Sequence, residues 1–181
     1  MKLKSVITIS GRISSGKSYA ANLIKNEYNF PVASFGGYLK YYCEQNNLPT
    51  DRKTLQDIGE GFVKEKPHQF LIDVVSHFIG SADKIIIEGV RHLSILDAVN
   101  EITENRLAVF VYADLQTRYD RYVKRNKDSD LLKTFEQFVI ADNHTVELEI
   151  ESLKFQCDLT INSTRDYSLE LFSYLKDNLK I

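Results

Sequence analysis

Two kinds of stretch alternate along this chain, and they differ in period. The runs "VITI" (6–9), "PVASF" (31–35), "KIIIE" (84–88), "LAVFVYA" (107–113) and "DLTIN" (158–162) are short, apolar and rich in β-branched residues, as strands buried on both faces are. Between them the apolar positions recur at helical spacing. "KSYAANLIKNEY" places Ala21, Leu23, Ile24 and Tyr28 together, and "PHQFLIDVVSHFIG" does the same with Phe70, Leu71, Val74, Val75 and Phe78. The second segment opens on Pro67 and closes on Gly80, residues suited to a helix start and stop. Asp51 is a cap for "RKTLQDIGEGFVKEK", which Gly59 and Gly61 are expected to weaken or split. Residues 131–156 read as helix with a break near "ADNHT", and "DYSLELFSYLKDNL" stacks Leu169, Phe172, Leu175 and Leu179 as a closing helix. Strands alternating with helices predict an α/β fold, a five-stranded parallel sheet covered on both faces. Ligands of such sheets sit beyond the carboxyl ends of the strands.

Composition narrows the class without changing that picture. The 181 residues suit one domain, 1–181, with no repeat, linker or low-complexity segment. A formal net charge of −2 does not suit a general polyanion binder, so nucleic acid is not indicated. Cys43 and Cys157 lie far apart and are expected to be small buried thiols. His68, His77, His92 and His144 show no metal-ligand spacing. No apolar run approaches a membrane span or a signal-peptide core, and the expected location is the cytoplasm.

The exit of the first run carries the strongest chemical signal. "GRISSGKS" sets Gly11, four residues, then Gly16, Lys17 and Ser18, the spacing of a loop whose amides wrap triphosphate oxygens. The amides form an anion-binding concavity, and the next helix turns its positive end toward the same phosphates. Gly11, Arg12, Ile13, Ser14, Ser15, Gly16, Lys17, Ser18 and Tyr19 are therefore expected to hold ATP, with Lys17 on the β- and γ-phosphate oxygens and Ser18 on Mg²⁺.

Other exits add candidates. "KIIIEGVRH" delivers Glu88 at the mouth of a strand, where a carboxylate can hold Mg²⁺, and Arg91 just beyond. "SFGGYLK" offers Phe35, Gly36, Gly37 and Lys40 for an acceptor, with the glycines allowing close backbone approach, and Arg52 stands where an arm over that acceptor would begin. In "TRYDRYVKRNKD", Arg118, Arg121 and Arg125 share one helical face, with Lys124 and Lys127 nearby. Arginines brought over a migrating phosphoryl group stabilise its spread charge, and this role is expected most of Arg121 and Arg125.

Taken together, these residues resemble the nucleoside monophosphate kinase group of P-loop proteins, which includes adenylate kinases, dephospho-CoA kinases and adenylate-kinase-like archaeal proteins. "GRISSGKS" matches the phosphate loop, "SFGGYLK" the acceptor segment, "IIIEGVRHLSILDAV" the acidic strand exit, "TRYDRYVKR" the start of the lid and "CDLTINST" the segment before the last helix. The resemblance implies a three-layer α/β/α P-loop NTPase fold with a small lid over about 118–145 and an acceptor-binding arm over about 36–66. It also implies Asn162, Ser163 and Thr164 near the adenine, and catalytic roles for Lys17, Glu88, Arg121 and Arg125. Hydroxyl-phosphorylating members carry an acid just after the second strand, whereas this chain reads Ser34-Phe35-Gly36-Gly37. An acceptor that is already ionised needs little base, so the expected acceptor is a nucleoside monophosphate, a small molecule. A hydroxyl acceptor with Glu88 as base, and an ATP-binding regulator without transfer, stand as alternatives. A GTPase lacks support, because NKxD and DxxG motifs are missing. Oligomeric state is not legible.

Overall fold

In the computed structural model, residues 2–125, 134–143 and 145–179 are described, without the side chains of 52 and 145–148. Five parallel strands, β1 (Leu3–Ser10), β2 (Val32–Ser34), β3 (Lys84–Val90), β4 (Thr103–Tyr112) and β5 (Leu159–Asn162), lie in the order β2-β3-β1-β4-β5. The helices are α1 (Lys17–Tyr28), α2 (Phe35–Gln45), α3 (Arg52–Glu65), α4 (Pro67–Ile79), α5 (Leu93–Ile102), α6 (Leu115–Arg125), α7 (Phe135–Asp142), α8 (Thr145–Lys154) and α9 (Ser168–Asn178).

The isoleucine triplet of β3 shows why the sheet is covered on both faces. Ile85 and Ile87 pack with Phe70, Leu71, Val74 and Ile95 of α4 and α5, while Ile86 points the other way, onto Ala20, Ile24 and Leu171 of α1 and α9. Side chains alternate across a strand, so three consecutive apolar residues supply both cores. Among the described residues no helix is long and apolar enough to cross a membrane.

One local expectation changes, the split of a helix at Gly59 and Gly61. Directly after β2, α2 begins at Phe35, and Ser34 caps it by accepting from the Gly37 amide at 3.3 Å. Gly37 lies within the helix, where a Cβ would stand in ordinary contact 3.5 Å from Phe78 Cζ. Likewise α3 runs unbroken through Gly59 and Gly61, with Asp51 accepting from the Thr54 amide at its start. The break near "ADNHT" falls between α7 and α8. Cys43 is buried, whereas Cys157 is only partly so, its thiol pushed up to about 12 chiefly by burial. His144, Lys127 and residues 126–133 of the expected lid lie outside the described residues.

Candidate active site

The central strand β1 ends at Ser10, and the chain then enters the loop 11–16 before α1 begins at Lys17. Its backbone alternates in hand, with φ at +143° for Gly11, +56° for Ser14 and +103° for Gly16. Such alternation turns successive amides to one side. At Gly11 glycine is required for a second reason: a Cβ would lie 2.1 Å from the Val111 carbonyl oxygen. The Lys17 ammonium reaches back across the loop and donates to the Arg12 carbonyl at 2.8 Å. The hydroxyls of Ser14 and Ser15 are buried with no hydrogen-bond partner in the structure. A concavity of amides at a helix start, with an ammonium and two unspent hydroxyls, suits a polyphosphate.

β3 lies beside β1 and aligns Glu88 with Ile9. That register brings two distant residues together: Ser18 Oγ donates to Glu88 Oε1 at 2.6 Å. A hydroxyl and a carboxylate beside a phosphate cradle are hard oxygen donors of the kind Mg²⁺ takes, completed by water and phosphate. The residues present therefore fit both a triphosphate and its metal. Gly89, at φ +88°, turns the chain away so that Arg91 and His92 line the same cleft.

The three arginines of α6 have separate tasks. Arg118 is buried and makes a two-pronged pair with Asp142 of α7, also donating to the Ile13 carbonyl at 3.4 Å. It holds the loop's flank and does not reach the cleft. Arg121 donates to the hydroxyl and carbonyl of Ser163 at 2.8 and 2.6 Å, and lies 3.4 Å from the Ser15 carbonyl. Arg125 lines the cleft with its guanidinium 5.2 Å from the centre of the Tyr122 ring. The Arg12 side chain does not line the cleft, donating to the Asp142 carbonyl at 2.5 Å and pairing with its carboxylate at 3.4 Å. Only the backbone of Arg12 belongs to the cradle, because a single buried carboxylate draws both guanidinium groups.

One cleft of about 1260 Å³ runs from the loop to the arm formed by α2 and α3. Lining it are Ile13 through Tyr19, Phe35, Gly36, Gly37, Lys40, Glu88, Arg91, Arg121 and Arg125 of the expected residues. Lys40 is exposed and lies 3.9 Å from Glu44. The Arg52 side chain lies outside the described residues. A second pocket of about 460 Å³ opens on the other side of Gly16, lined by Tyr19, Arg121, Ser163, Arg165 and Tyr167. Burial pushes the Tyr167 phenol up to about 12. Of the trio 162–164 only Ser163 faces this space, since Asn162 spends its carbonyl oxygen on the amide and hydroxyl of Thr164 at 3.1 and 2.8 Å.

The sequence reading missed Asp142 and the cleft-facing side of α3, with Gln56 and Glu60. Asp142 gave no local signal, standing as one acid in a mixed helical stretch. The α3 side was readable as a stripe only if the position of the cleft was known.

No family model matches the chain. It is 25% identical over 171 residues to a UPF0200 protein of Thermoplasma volcanium, covering 92% of this chain and 91% of that one. Among solved structures it resembles a shikimate kinase from Acinetobacter baumannii, with a TM-score of 0.60, 13% identity and coverage of 98% and 96%. A gluconokinase from Sinorhizobium meliloti gives 0.60, 14% identity and coverage of 99% and 97%. The fold is thus the three-layer α/β/α fold that these P-loop kinases share.

Proposed function

We propose that this chain is a kinase that transfers the γ-phosphoryl group of ATP, as its Mg²⁺ complex, to a nucleoside monophosphate. The observation that carries the reading is the joining of three parts in one space: the amide cradle 11–16, the Ser18 and Glu88 oxygen pair, and a cleft that continues into the α2 and α3 arm. About 1260 Å³ is more than one small-molecule ligand usually occupies, which leaves room for an acceptor beside the donor. The loop amides and Lys17 would hold the phosphates. Ser18 and Glu88 would hold Mg²⁺, which when bound draws charge from the transferring oxygens. Arg121 and Arg125 stand on the same wall, where positive charge stabilises the equatorial oxygens in the transition state.

The choice of acceptor rests on the carboxylates of the cleft, Asp51, Glu60 and Glu88. Both oxygens of Asp51 accept from Thr54, at 3.1 and 2.6 Å, and these bonds hold its carboxyl below the usual range. Glu60 pairs with Lys64 at 2.8 Å. Glu88 is bonded to Ser18, the residue expected on the metal. A phosphate acceptor needs no strong base, and Lys40 and Arg91 offer it positive charge. A second reading, a hydroxyl acceptor deprotonated by Glu88, is favoured by the fold shared with a shikimate kinase and a gluconokinase.

Glu88→Gln separates the two. If Glu88 organises the metal, turnover falls about 100-fold and the Mg²⁺ concentration for half-maximal rate rises about tenfold. If it is the base, turnover falls with the Mg²⁺ requirement unchanged. A steady-state titration of Mg²⁺ against ADP release, run with monophosphates, shikimate and gluconate as acceptors, reads both quantities. Release of ADP with no member of that panel, from folded protein, would contradict the kinase reading.

A further inference from the structure

The arm of the cleft carries a pattern that the phosphate chemistry does not use. α3 lines it with Leu55, Gln56, Gly59, Glu60 and Val63, a spacing that keeps all five on one side of a helix. Phe35, Leu39, Phe70 and Ile95 line the same cleft, and Leu55 and Val63 pack against their cluster, so apolar groups border the slot. Gly59 lets α3 lie close to α2: a Cβ there would stand 2.9 Å from Leu39 Cδ1, and that side chain would have to shift.

Within this apolar slot the polar side chains of α3 are Gln56 and Glu60, one turn apart. Glu60 is held by Lys64 at 2.8 Å. Gln56 is half-buried on the cleft wall. Its flat amide presents a carbonyl acceptor beside an NH₂ donor, the complement of a planar heterocycle edge with a neighbouring donor and acceptor. Apolar walls receive the faces of such a ring while the amide fixes its orientation. Between the apolar groups, Gln56 and Glu60 are the side chains of α3 that offer hydrogen bonds to a ligand.

We infer that Gln56 is a specificity-determining residue for the acceptor, reading the edge of a heterocyclic base while Leu55, Val63, Phe35 and Phe70 enclose its faces. The inference rests on the nucleoside monophosphate reading and deepens it. A site built around a hydrogen bond rejects a ligand that leaves its polar group unpaired, so Gln56 would set which base is accepted.

The test measures kcat and KM for AMP, GMP, CMP, UMP and dTMP with wild type, Gln56→Leu and Gln56→Glu. Gln56→Leu is expected to raise KM for the preferred monophosphate about tenfold, to bring kcat/KM for the five bases toward one another, and to shift KM for ATP less than twofold. Gln56→Glu, which exchanges the amide donor for an acceptor, is expected to change the order of preference. A merely structural glutamine would lower the melting temperature and weaken all five acceptors alike, and that result overturns the inference. Unchanged base preference in both variants also overturns it while the kinase reading stands. Turnover with shikimate or gluconate but no monophosphate, or with no acceptor at all, overturns the inference together with the monophosphate reading.

Discussion

Asp142→Ala is expected to lower folding stability by about 3–5 kcal/mol, the range found when one partner of a buried ion pair is removed. Asp142 and Arg118 are 3% and 4% exposed. Their pair is two-pronged, with the second contact at 2.8 Å. Without the carboxylate the Arg118 guanidinium stays buried near the Ile13 and Ala113 carbonyls, at 3.4 and 3.2 Å, which offer partial dipoles but no counter-charge. Arg12 loses the carboxylate 3.4 Å away but keeps the Asp142 carbonyl. The double variant Asp142→Leu with Arg118→Met removes both charges and is expected to recover most of the loss. Urea unfolding of the wild type, the single variants and the double variant closes the cycle. A loss below about 1 kcal/mol for Asp142→Ala, the size of an exposed pair, would show that the pair does not hold this region together.

Lys17→Ala is expected to reduce turnover by at least about 100-fold with little change in melting temperature, because a positioned charge on developing oxyanions is worth that much in a site shielded from water. Its ammonium donates to the Arg12 carbonyl at 2.8 Å, and that contact is replaceable by water at the cleft surface. The stability of the loop comes instead from Gly11, whose backbone passes against Val111, and from the Arg118 and Arg121 contacts to Ile13 and Ser15. Single-turnover rates and thermal melts on the same preparation separate the two effects. A melting temperature lowered in step with the rate would assign Lys17 to the fold instead of to the phosphates.

What the sequence disclosed and what it withheld divide by distance along the chain. The phosphate loop was legible because all its requirements are local: two glycines where φ must be positive, then a helix start, within Gly11 to Ser18. The strands were legible because "III" suits a strand covered on both faces. The glycines of α3 misled, since intrinsic propensity argues against helix while α3 runs unbroken through Gly59 and Gly61, and at Gly59 a Cβ would meet the Leu39 side chain at 2.9 Å. The partner of Arg12 and Arg118 was not legible for a related reason. Their shared partner stands 130 residues from one and 24 from the other, and no pattern in either segment points to it. Ser18 and Glu88 are 70 residues apart, yet each was found, because a hydroxyl after a phosphate loop and an acid at a strand exit are both informative alone.

Calorimetric titration of ATP with Mg²⁺ into the full chain tests the central claim most directly. Saturable binding at one site per chain is expected, abolished or weakened at least about tenfold in Lys17→Ala and weakened when Mg²⁺ is withheld. No heat from folded wild type across a range of temperatures, with no thermal stabilisation by saturating ATP, would contradict the assignment of the loop at residues 11–18 to a nucleoside triphosphate.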